Sequence, residues 1–157
     1  MLVMEATATN WGAFAQAEPD MAAKGRDLIY RRGDGEGFLV TVAGAQGLPR
    51  LHPINVGVVG EHLFAFVQAK SAKTRDLEAD GRYALHAHQD PAEPHEFMVR
   101  GRALLVEDSD MRAEIASDWF FTVSDTYPLY ELLIDHALLG ERGADEWPPR
   151  YRSWRSG

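Results

Sequence analysis

The chain contains no cysteine, which excludes disulfides, thiolate metal sites and a cysteine nucleophile. A zinc site would therefore need histidine and carboxylate ligands. No apolar run approaches the roughly 18 residues of a membrane span, and the opening MLVMEATATNWGAF lacks the basic region and long apolar core of a signal peptide. The expectation is a cytoplasmic protein. No GxGxxG or GxxxxGK[ST] stands between a strand and a helix, so dinucleotide-fold and P-loop readings fail. The GxSxG elbow of a serine hydrolase is missing too, and Ser71 has no local base. Basic charge is scarce, with 16 Lys and Arg against 24 Asp and Glu for a net charge of −8, which disfavours a broad nucleic-acid surface. Because no side chain stands out as nucleophile or general base, an enzymatic role would need a cofactor to carry the chemistry.

What is present fits one domain spanning residues 1–157, with 45% hydrophobic and 25% charged residues, large enough to bury a core without staples. Residues 1–25 read as one or two short helices closed near Gly25, in which Trp11 and Phe14, three apart, share a face and cover the core. From Leu28 the period changes. Leu28-Ile29-Tyr30 and Phe38 to Val42 read as short strands, Arg50 to Val59 as the next, and His62 to Val67 as the return after a tight turn at Gly60-Glu61. Pro53 cannot donate to a ladder, so that strand is expected at an edge, at a bulge, or open to a ligand. Arg82 to His88 and His95 to Val106 complete the run, the latter bulged at Gly101. Asp108 to Phe121 has a capping start and apolar residues at helical spacing. Tyr130 to Leu139 suits a strand or a helix. The tail from 143 to 157, with two prolines in WPPRYRSWR, is expected to be irregular and to wrap a surface or a partner subunit.

The stretch from Leu63 to His88 is the most informative. It reads as strand, polar loop, a short helix over about Lys73 to Ala79 closed by a left-handed Gly81, and strand. A helix start with free N–H groups beside Ser71 and Lys73 suits an anion, and it equally suits a solvated helix start. His86 and His88 share one strand face, with His52 and His95 within possible reach, yet no metal-ligand spacing appears and no metal site is assigned.

In succession, FLVTVAGAQGLPRLHPINVGVV, LFAFVQAKSAKTRDLEADGRYALHAH and HEFMVRGRALLVED resemble the pyridoxamine 5′-phosphate oxidase-like, FMN-binding split-barrel family over about residues 25–108. The carriers are a G-x-P-R turn, a strand with an interior proline, a hairpin, an S-x-K loop, a D-L-x-x-D-G-R helix exit and a strand ending in histidine. The resemblance implies a mainly β (α+β) fold, a six-stranded antiparallel Greek-key split β-barrel with peripheral helices, with 130–139 as a strand. It implies a homodimer with the cofactor at its interface, FMN or alternatively F420, and haem in some relatives. His52, Pro53, Ile54 and Asn55 would lie along the ring, Phe66 and Val67 beside the ribityl chain, and Ser71 and Lys73 at the phosphate. Glu96 falls where a partner's glutamine often contacts the flavin, so a carboxylate there is a departure. The C-terminal arginine signature of true pyridoxamine phosphate oxidases is not visible, PRYRSWR being a loose echo. The implied activity is a flavin-dependent oxidoreductase acting on a small molecule, with a non-enzymatic flavin- or haem-binding barrel as the alternative.

Overall fold

Alternating apolar residues build the body of the protein, an eight-stranded antiparallel sheet, in a computed structural model that describes residues 7–157. The strands are β1 (Glu36–Ala43), β2 (Leu48–Asn55), β3 (Gly57–Val59), β4 (His62–Phe66), β5 (Arg82–Ala87), β6 (Glu96–Leu105), β7 (Leu129–Glu141) and β8 (Arg150–Arg155). Four helices, α1 (Trp11–Ala17), α2 (Pro19–Ile29), α3 (Ala72–Ala79) and α4 (Ser109–Ser117), lie around them. The strand order is β2-β1-β5-β6-β7-β4-β3, with β8 added along β7. Strands β2 and β3 stand at opposite ends of that order yet are joined through Val56 alone. The sheet must therefore curl until its ends approach, which makes a split barrel.

Period-two patterning sends one face of each strand inward. Leu39, Leu85, Phe97, Val99, Leu132 and Leu139 are each at most 2% exposed on the concave face, and full burial of such a side chain contributes about 1.5–3 kcal/mol. Helices α1 and α2 close this face. Trp11 meets Phe14 edge-on at 5.3 Å and both approach Phe97, while Phe14 also contacts Trp154. Helix α2 passes so close that a Cβ at Gly25 would lie 2.4 Å from the Phe97 ring. The convex face of β4 and β7 is covered separately, where Phe64, Phe66 and Leu129 pack beneath Ile115 of α4 and Trp119 beyond it.

Several expectations from the sequence hold. The hairpin turns at Gly60, with φ +59°, β2 with Pro53 is an edge strand, residues 130–139 fall within β7, and the β6–β7 register shifts between Arg100 and Gly101. Others need correction. Leu28-Ile29-Tyr30 is not a strand, because Leu28 and Ile29 continue the buried stripe of Met21, Ala22 and Gly25 at helical spacing, so α2 runs past Gly25. The expected strand from Arg50 to Val59 breaks at Val56, whose N–H bonds to Gly35 O at 3.0 Å. The tail is not irregular throughout. Its prolines precede β8, whose residues then pair with β7 from His136 to Glu141. That break and β8 turn the six expected strands into eight. Gly81 does not take a left-handed conformation, since α3 ends instead at an extended Asp80 with φ −148°. There Asp80 accepts from Arg82, which holds its carboxyl down at about 2. Helix α4 is capped by Asp108 as expected but stops at Ser117, short of Phe121. Readings that concern residues 1–6 lie outside the described residues. No described helix is long and apolar enough to cross a membrane.

Candidate functional site at the barrel seam

The curled sheet leaves a seam between β2 and the β3–β4 hairpin at its other end, and α3 follows directly from the loop after β4. Alternation along β2 divides its side chains. Arg50 and His52 reach Asp76 and Thr41 on the α3 side, whereas Leu51, between them, is exposed on the other. The second edge of β2 has no strand partner in the sheet, so its backbone polar groups are open to another ligand.

Ser71 is the N-cap of α3, its Oγ accepting from Thr74 N at 3.3 Å. Thr74 Oγ1 donates in turn to Gln68 O at 2.7 Å, which ties the loop to the helix. The N–H groups of Ala72 and Lys73 have no acceptor among the described residues, as expected at a helix start. The Lys73 ammonium likewise makes no hydrogen bond or ion pair there. Its charge is nevertheless felt at His52. Burial first, then Lys73 and Arg50, hold the imidazole below its ordinary pKa against an opposing pull from Asp76.

Asp76 is 6% exposed and organises this corner. Its Oδ2 accepts from Thr41 Oγ1 at 2.6 Å and from Arg50 Nε at 3.0 Å. Thr41 has one hydroxyl proton, and that proton goes to Asp76. The 3.1 Å contact between Thr41 Oγ1 and His52 Nε2 must then be donated by the imidazole. His52 carries its proton on Nε2, which leaves Nδ1 as an acceptor.

The structure thus gathers His52, Ser71 and Lys73 around the start of α3 and the edge of β2. Pro53 and Asn55 line a neighbouring cavity of about 330 Å³ together with Ile54, Glu36 and His88. The side chains of Phe66 and Val67 are buried, and Val67 N–H already donates to Pro128 O at 3.0 Å. Glu96 stands apart. It lies on β6, with β5 and β1 between it and β2, and its Oε2 accepts from Tyr151 OH at 2.7 Å, which raises the phenol pKa. The histidines disperse to separate partners, and no group of three metal ligands exists among the described residues. Sequence reasoning missed the support from Thr41, Arg50 and Asp76, because their pairing depends on tertiary placement. It also missed Glu36 and His88 at the cavity.

The donor set fits a phosphate monoester: one ammonium and two helix-start N–H groups, beside a Ser71 hydroxyl whose proton points to Thr74 Oγ1 at 3.3 Å and can turn to a ligand, with the nearest buried carboxylate already engaged by Arg50 and Thr41.

No protein-family model and no curated protein matches the sequence. The fold is nonetheless shared. A haem-binding protein from Mycobacterium smegmatis matches with a TM-score of 0.64 at 17% identity, over 88% of this chain and 59% of its own length. A candidate pyridoxamine 5′-phosphate oxidase from Listeria innocua matches at 0.58 and 17% identity, over 73% of this chain and 94% of its own. A second such candidate, from Lactobacillus delbrueckii, gives 0.57 and 20% identity, with coverages of 71% and 89%. This chain therefore spans less than two thirds of the haem-binding protein and most of the other two. Its architecture is the split barrel of the pyridoxamine 5′-phosphate oxidase-like proteins.

Proposed function

We propose that this split barrel is an oxidoreductase that binds FMN, or the related deazaflavin F420, at the seam, and that it works as a homodimer on a small molecule. The observation that carries the reading is Lys73, a cation with no protein acceptor among the described residues, set at a helix start with free N–H groups. A phosphate satisfies all of these donors at once. When bound, such a cofactor supplies two-electron hydride chemistry.

The protein's own groups bind and orient. Ser71 Oγ and the N–H groups of Ala72 and Lys73 would donate to phosphate oxygens while the Lys73 ammonium offsets their charge. The open edge of β2 offers backbone groups from His52 to Asn55, with Pro53 contributing no donor. Fixed donors of this kind stabilise negative charge that develops on a ring without reorganising. His52 is locked by Thr41 and presents Nδ1 as an acceptor.

The homodimer reading draws on the convex face. Pro53, Phe38, His86, Met98 and Leu138 follow one another across five strands by register, and Phe38 and Leu51 are 37% and 65% exposed. Vitamin B6 oxidation is not favoured. The tail carries only a loose echo of the arginine signature, and its Arg150 and Arg152 pair on the surface with Glu146 at 2.6 Å and Asp20 at 2.7 Å.

The visible spectrum of the purified protein, with mass spectrometry of what heat releases, tests the reading. A flavin or deazaflavin spectrum with the matching mass is expected. A Soret band, or a colourless protein that takes up neither cofactor on titration, would overturn it.

A further inference from the structure

The cavity beside β2 contains a pair of groups that the phosphate reading does not use. Its walls are Pro53, Ile54 and Asn55 on one side and Glu36 and His88 on the other. His88 Nε2 lies 3.5 Å from Glu36 Oε2, and both side chains are about one quarter exposed, at 23% and 25%. Phe38 packs against the imidazole at 4.5 Å between centroids, which fixes the ring on the convex face. A histidine held between an aromatic wall and a carboxylate, and open to a cavity, is placed to exchange protons with what occupies that cavity.

We infer that the His88–Glu36 pair is the proton-exchange group of the seam, facing the ring of the cofactor or the substrate laid against it. The inference rests on the flavin reading. A flavin-type cofactor held at the seam would supply hydride chemistry, and a small-molecule acceptor reduced in that way would still need a proton. Protonated His88 then gives that acceptor a proton and is left neutral, so the acceptor gains two electrons and two hydrogens in all. Solvent then reprotonates the imidazole, whose Nε2 stays 3.5 Å from Glu36 Oε2. Other charges surround the pair. Arg32 Nε approaches Glu36 at 3.7 Å, and Arg31, Asp90 and Glu93 line the adjoining cavity that shares His88. The acid in ion-pair contact with His88 is Glu36.

The test uses the full chain saturated with FMN, read by spectroelectrochemistry rather than turnover. In the wild type, the midpoint potential of the bound flavin plotted against pH should show a break where one imidazole titrates. His88→Gln should lose the break. A break that persists in His88→Gln, or a wild type that binds FMN with no such break, would overturn the inference. Failure of the wild type to bind FMN or F420 would instead overturn the reading beneath it, and the inference with it. Circular dichroism of the variant separates loss of fold from loss of the proton group.

Discussion

His52 is where sequence, electrostatics and ligand meet most closely. Its ordinary value is 6.5, and burial, Lys73 and Arg50 lower it. The native state therefore holds fewer protons than the unfolded chain just below that value. The cost to stability sets in as pH falls through 6.5 toward the folded value, and it is absent above. A phosphate beside Lys73 would cancel part of the field and raise the His52 pKa, so binding takes up a proton. FMN affinity in the wild type should gain on acidification relative to His52→Gln, in which the acidic limb should be weaker. Isothermal titration in two buffers of different ionisation enthalpy measures the proton uptake, and equal uptake by both proteins would refute the coupling. This interplay was not legible in the sequence. His52 was placed along the ring by resemblance, but its tautomer depends on Thr41 and Asp76, which are 11 and 24 positions away.

At the scale of elements, the position of α2 rests on a close approach. A Cβ at Gly25 would meet the Phe97 ring at 2.4 Å, in a core where Phe97 is 1% exposed. Gly25→Ala should therefore destabilise the protein by about 1–3 kcal/mol through overpacking, although alanine is the better helix former. Thermal unfolding measures it, and an unchanged or raised Tm would contradict this packing. The strands from β4 to β6 were legible because their alternation, the Gly60 turn and the Gly101 bulge are local signals. Leu28 to Tyr30 misled because a three-residue apolar run carries no period of its own. Strand β8 was hidden because proline marks a chain that cannot pair, yet here both prolines fall before the first paired residue. Ser71 was legible as a helix start, whereas the lack of a protein acceptor for Lys73 among the described residues was not.

The whole molecule has a covered concave face and a convex face on which Pro53, Phe38, His86, Met98 and Leu138 follow one another by register, outside the patch that α4 covers. On the homodimer reading a second copy covers it. Leu51 is 65% exposed, so Leu51→Glu should fold normally and yet fall from twice the chain mass to the single-chain mass in sedimentation equilibrium. A wild type that sediments as a monomer would refute that reading. The account as a whole turns on a phosphate at the start of α3. Its most direct test is the affinity of the wild type for FMN against riboflavin, which differ by the phosphate alone, repeated in Lys73→Ala. Loss of a charge-assisted bond of about 1.5–3 kcal/mol corresponds to roughly ten- to a hundredfold. The wild type should prefer FMN by at least that factor, and the preference should shrink by it in Lys73→Ala while riboflavin binding changes little. Equal affinity for the two ligands in the wild type, or an FMN preference that survives the loss of Lys73 intact, would contradict it.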